Sequence, residues 1–73
     1  MGGGEWPDDA RVIQAVRDVG TPCTDADVAR ATGLPRAEVQ KILVELGGDR
    51  LQVRPVVAYG VTIKVEVLAV TGE

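Results

Sequence analysis

Val28-Ala29-Arg30-Ala31-Thr32-Gly33-Leu34-Pro35-Arg36-Ala37-Glu38-Val39-Gln40-Lys41-Ile42-Leu43-Val44-Glu45-Leu46 is the stretch on which the fold turns. It reads as two short helices joined by a tight turn. Ala29 is small where a second helix must cross close by, and Gly33, four residues on, accepts the positive φ that a turn demands. Leu34 is placed to plug the corner. Pro35 belongs in the first turn of a helix, where a missing N–H costs nothing, so the second helix is expected from Pro35 to Leu46. Val39, Ile42, Leu43 and Leu46 recur at helical spacing and form one apolar stripe, leaving Arg36, Ala37, Gln40, Lys41 and Val44 facing out. The arrangement is a helix-turn-helix.

These residues, and the run Ala31-Thr32-Gly33-Leu34-Pro35-Arg36 in particular, resemble the helix-turn-helix of bacterial transcriptional regulators, specifically the winged-helix regulators of the IclR type. The resemblance covers about the middle third of the chain. It implies a DNA-binding domain whose helix from Pro35 to Leu46 enters the major groove. By the same resemblance, base readout falls to Arg36, Ala37, Gln40 and Lys41, with Val44 against a thymine methyl. The competing expectation is a winged helix that binds protein instead of DNA.

On either side of this stretch the periodicity names further elements. Asp8 and Asp9 suit the positive end of a helix dipole, and Val12, Ile13, Val16 and Val19 repeat at three and four residues until Gly20 and Pro22 stop the helix. Trp6 stands just before it, placed to cover its first turn. Thr24 with Asp27 three residues later is a capping-box-like start for the next helix, and Asp25 and Asp27 are read as helix-start chemistry. The link Thr21-Pro22-Cys23 is expected to form a brief edge strand.

After Gly47-Gly48 the period becomes alternating, from Leu51 to Val70, which predicts a β-hairpin. A two-residue turn at Tyr59-Gly60 would mix the faces. A three-residue loop, Ala58-Tyr59-Gly60, pairs Val57 with Val61, Pro55 with Ile63, Val53 with Val65 and Leu51 with Val67, making one face wholly apolar. In that register Arg54 stands opposite Lys64 on the outer face, with Glu66 diagonal to Arg54. The like-charged pair is then a candidate contact for the DNA backbone. Three helices followed by this hairpin make an α+β winged helix over residues 6–73, behind a flexible leader at 1–5.

Composition narrows the function. Seventy-three residues with 45% hydrophobic content allow one small domain, whose core lacks Phe entirely. There is no His and no Ser, and Cys23 stands alone. An ordinary zinc site, a disulfide within the chain and the usual nucleophilic triads are therefore ruled out, and neither an enzyme nor a cofactor is expected. Cys23 reads as a small apolar filler. No run is long enough to span a bilayer and the N-terminus lacks the pattern of a secretion signal, so a cytoplasmic location without membrane contact is expected.

The net charge of -3 opposes strong nucleic-acid binding, yet it is unevenly placed. Residues 1–34 hold six acids against three bases, while residues 35–73 hold five of each. The reading helix and hairpin are therefore neutral, and attraction to double-stranded DNA would be local. The partners expected are duplex DNA, through Arg36, Ala37, Gln40, Lys41, Val44, Arg54 and Lys64, and a second copy or another protein through the apolar loop Val56-Val57-Ala58-Tyr59.

Overall fold

The computed structural model describes residues 8–71. Three helices, α1 (Asp8–Val19), α2 (Asp25–Thr32) and α3 (Arg36–Leu46), pack against a sheet of β1 (Cys23–Thr24), β2 (Leu51–Ala58) and β3 (Val61–Val70). The sheet is antiparallel with order β1-β3-β2. This α+β arrangement is the layout of a winged helix, with β2 and β3 as the wing. The leader at 1–5 and the placement of Trp6 lie outside the described residues.

The turn between α2 and α3 is built as the residues demand. Gly33 caps α2 at φ 77°, and its N–H donates to the Ala29 carbonyl at 2.8 Å. The Thr32 hydroxyl donates back to the Val28 carbonyl and accepts from the Leu34 N–H, closing the corner from both sides. Leu34 packs against the core. Pro35 is the N-cap of α3, one residue earlier than a first helical position, and its carbonyl accepts from the Val39 N–H. At the start of α2 the capping box is complete: the Thr24 side chain accepts from the Asp27 N–H while the Asp27 carboxylate accepts from the Thr24 N–H.

The core joins Val12, Ile13, Ala15 and Val16 of α1, Val28 of α2, Val39, Ile42, Leu43 and Leu46 of α3, and Leu51, Val65 and Val67 of the wing. Val19 departs from expectation. It lies 45% exposed in the last turn of α1, and Ala15 is buried in that helix instead. Cys23 is buried as a filler; burial, and then the negative charge of Asp27, push its thiol above its ordinary value and away from the reactive thiolate. The short edge strand is present but begins two residues later than expected, pairing Cys23 with Val67 and Thr24 with Glu66.

The hairpin register differs from the one alternation favours. The turn has two residues, Tyr59 at φ 55° and Gly60 at φ 75°, both in the left-handed region that a twisted two-residue hairpin requires. Ala58 pairs with Val61 and Val57 with Thr62. A bulge then inserts Ile63 as an extra residue, so that Val56 meets Lys64, Pro55 meets Val65 and Val53 meets Val67. A second bulge at Leu68 brings Gln52 to Ala69 and Leu51 to Val70. The bulges restore apolar pairing near the core, which a regular two-residue hairpin would have lost. A strict alternation count has no place for an extra residue.

The apolar face also continues beyond what the helices can cover. A ten-residue strand such as β3 reaches roughly 33 Å, while an eleven-residue helix such as α3 reaches about 16 Å. The far half of the wing therefore overhangs. Val57 on this face is 59% exposed, Val61, paired with Ala58 on the opposite face, is 63% exposed, and Tyr59 at the tip is fully exposed.

Candidate nucleic-acid interface

Helical geometry sorts the outward residues of α3 into groups. Ala37, Lys41 and Val44, spaced at i, i+4 and i+7, form one exposed stripe. Glu38 and Glu45 are exposed beside it. Together with Gln40, Glu45 and Thr62, the stripe lines a shallow groove between α3 and the wing.

Arg36 and Gln40 are not simply solvated. Both reach Asp25, whose side chain is completely buried at the first position of α2. Arg36 Nε donates to Asp25 Oδ2 at 3.1 Å, and Gln40 Nε2 donates to the same oxygen at 2.6 Å. The other oxygen, Oδ1, accepts from the Ala26 N–H at 3.0 Å. Arg36 Nη2 and Gln40 Nε2 also donate to the Ile63 carbonyl, at 3.0 and 3.3 Å. Ile63 is the bulged residue, and its carbonyl is taken up by α3. One carboxylate and one bulge thus tie α2, α3 and the wing together.

The Asp25 carboxyl carries opposing influences. Burial pushes its pKa up, while hydrogen bonds from Gln40 and Arg36, the Arg36 charge and the Val65 N–H pull it down, and the balance lies below the ordinary aspartate value. A carboxyl lowered on folding stabilises the native state above its unfolded pKa of about 4, and that contribution is lost as pH falls through the folded value. Removing the Arg36 cation brings the two values closer. Stability followed by urea unfolding should accordingly fall less steeply below about pH 4 in Arg36→Ala than in the wild type, although the variant is less stable at neutral pH. Identical acid profiles would show that Arg36 does not govern this carboxyl.

On the wing, Arg54 stands opposite Glu66, not Lys64. Glu66 forms ion pairs with Arg54, Nε to Oε1 at 3.5 Å, and with Lys64, Nζ to Oε2 at 3.4 Å. The like-charge pair expected from the three-residue loop is replaced by two cations bracketing one acid, because the two-residue turn and the Ile63 bulge shift the pairing by two residues. The Arg54 side chain remains 71% exposed and that of Lys64 44%.

The residues named from sequence therefore fall into three groups: the stripe of Ala37, Lys41 and Val44, the tethered pair Arg36 and Gln40, and the bracketed pair Arg54 and Lys64. Local spacing marks Asp25 only as helix-start chemistry, whereas in the structure it anchors the second group. The signal available was modest: the capping box uses Asp27, which leaves Asp25 surplus, and Arg36 and Gln40 are two donors one helical turn apart. No family model, curated protein or solved structure matches this chain.

Proposed function

We propose that this domain binds double-stranded DNA, with α3 in the major groove and the wing along the backbone. The observation that carries this reading is the stripe of Ala37, Lys41 and Val44, exposed on the second helix of a helix-turn-helix with a hairpin beside it. Lys41 supplies the central positive charge, Val44 suits a thymine methyl, and Arg54 and Lys64 are the wing cations available to phosphates. No step of chemistry is involved. Because Glu38, Glu45 and Glu66 share these surfaces, binding is weak and confined to low salt.

Fluorescence anisotropy with a mixed-sequence duplex at low salt tests the reading. Lys41→Ala, an exposed change that leaves folding intact, should weaken binding and lower the slope of log affinity against log salt by about 0.9, the share of one phosphate contact. Full affinity in that variant would remove α3 from the interface.

A second reading is favoured by one feature, the apolar tip formed by Val57, Tyr59 and Val61. Tips that ride DNA are usually basic, and an exposed apolar patch suits a protein partner or a second copy of the chain. Concentration-dependent association in sedimentation, abolished by Tyr59→Ser with Val61→Thr, would support it.

A further inference from the structure

Resting on the duplex-binding reading above, we propose that Arg36 reads guanine with the outward edge of its guanidinium, and that Asp25 and Gln40 are positioning residues which hold it for that task.

The guanidinium is a rigid plane with five N–H donors in fixed directions. Its Nε–H and one Nη2–H lie side by side on one edge. Asp25 Oδ2 at 3.1 Å and the Ile63 carbonyl at 3.0 Å take both. Among the described residues nothing takes the other three donors, on Nη1 and Nη2, and two of them point away in parallel. The Arg36 side chain is 52% exposed although its anchor is fully buried, so this free edge is open to a ligand. Two parallel donors match the O6 and N7 acceptors that guanine presents in the major groove. Arg36 is also the first residue of α3, and the N-terminal residues of a recognition helix are those that meet base edges. An arginine held in place before binding loses less freedom when it binds.

The same contacts remove Gln40 from base reading. Reading adenine takes a donor and an acceptor from one amide together. The donor nitrogen of Gln40 already faces Asp25 at 2.6 Å and the Ile63 carbonyl at 3.3 Å, which leaves its outward side with an acceptor alone. Gln40 therefore supports Arg36 from behind. The wing takes part through the Ile63 bulge, whose carbonyl accepts from the guanidinium.

The test is selection from a randomised duplex pool at low salt, using the full chain and three variants checked for folding by NMR: Asp25→Asn, Gln40→Met and Arg36→Met. The wild type should enrich guanine at one position by roughly 5- to 150-fold over other bases, the discrimination given by one bidentate pair. Arg36→Met removes the donors, so this preference should collapse while duplex binding itself persists. Asp25→Asn should weaken the preference more than the overall affinity, which a purely structural role would not do. Gln40→Met should weaken it without changing any preference for adenine. If Asp25→Asn does not fold, the other two variants still decide. An adenine preference that disappears in Gln40→Met would overturn the proposal, as would a guanine preference that survives in Arg36→Met. Wild-type binding with no guanine preference would overturn it while leaving duplex binding intact. Failure of the wild type to bind any duplex would overturn both.

Discussion

Replacing Asp25 with alanine should lower stability by about 3 kcal/mol, the lower end of the cost of breaking a buried ion pair. In a domain of this size that is a fall on the order of 15 °C in Tm. The side chain is fully buried and accepts from Arg36, Gln40 and Ala26. Among the described residues, its removal takes the partner of the Ala26 N–H and leaves Gln40 the Ile63 carbonyl to donate to. Arg36 is half-exposed and can return to water, which is why the lower end of the range applies. Circular dichroism melts measure the effect. An unchanged melt would mean that the three elements meet without the carboxylate and that the tether is incidental.

Gly33→Val should cost about 1–3 kcal/mol, the penalty for a residue held in a sparsely populated backbone region. Gly33 sits at φ 77°, and a Cβ added there would meet nothing within 4 Å. The cost therefore comes from the backbone alone, with no contribution from crowding. That separation gives the prediction an internal control: Gly33→Asn, a residue that tolerates the left-handed region, should melt close to the wild type. If valine and asparagine are equally harmful, the turn is sensitive to bulk and its backbone has been misread. If neither matters, the helix-turn-helix is not held at this glycine.

What the sequence made legible is what local chemistry determines. Gly33, Pro35 and the stripe of Val39, Ile42, Leu43 and Leu46 specify their own turn and helix, and the capping pair Thr24 and Asp27 specifies the start of α2. The hairpin was legible as a hairpin, since Tyr59-Gly60 and the alternation around it are local signals. Its register was not, because bulges at Ile63 and Leu68 answer to the core below and to α3 beside them. The candidate site divides in the same way. Ala37, Lys41 and Val44 were readable from helical spacing alone. Asp25 lies 11 residues from Arg36 and 15 from Gln40, and no spacing rule joins a helix start to the next helix and a strand bulge. Arg36 and Gln40 consequently looked like free surface residues, when the carboxylate that holds them is buried beneath.

The central functional claim is that α3 and the wing together form a face for duplex DNA. An NMR titration of the isotope-labelled chain with a short mixed-sequence duplex at low salt tests it most directly, with amide and Arg36 Nε–H signals followed residue by residue. Shifts should cluster on Arg36, Ala37, Lys41, Val44, Arg54 and Lys64 and leave α1 unmoved. A spectrum unchanged at millimolar duplex, or shifts spread over α1 and absent from α3, would contradict the claim.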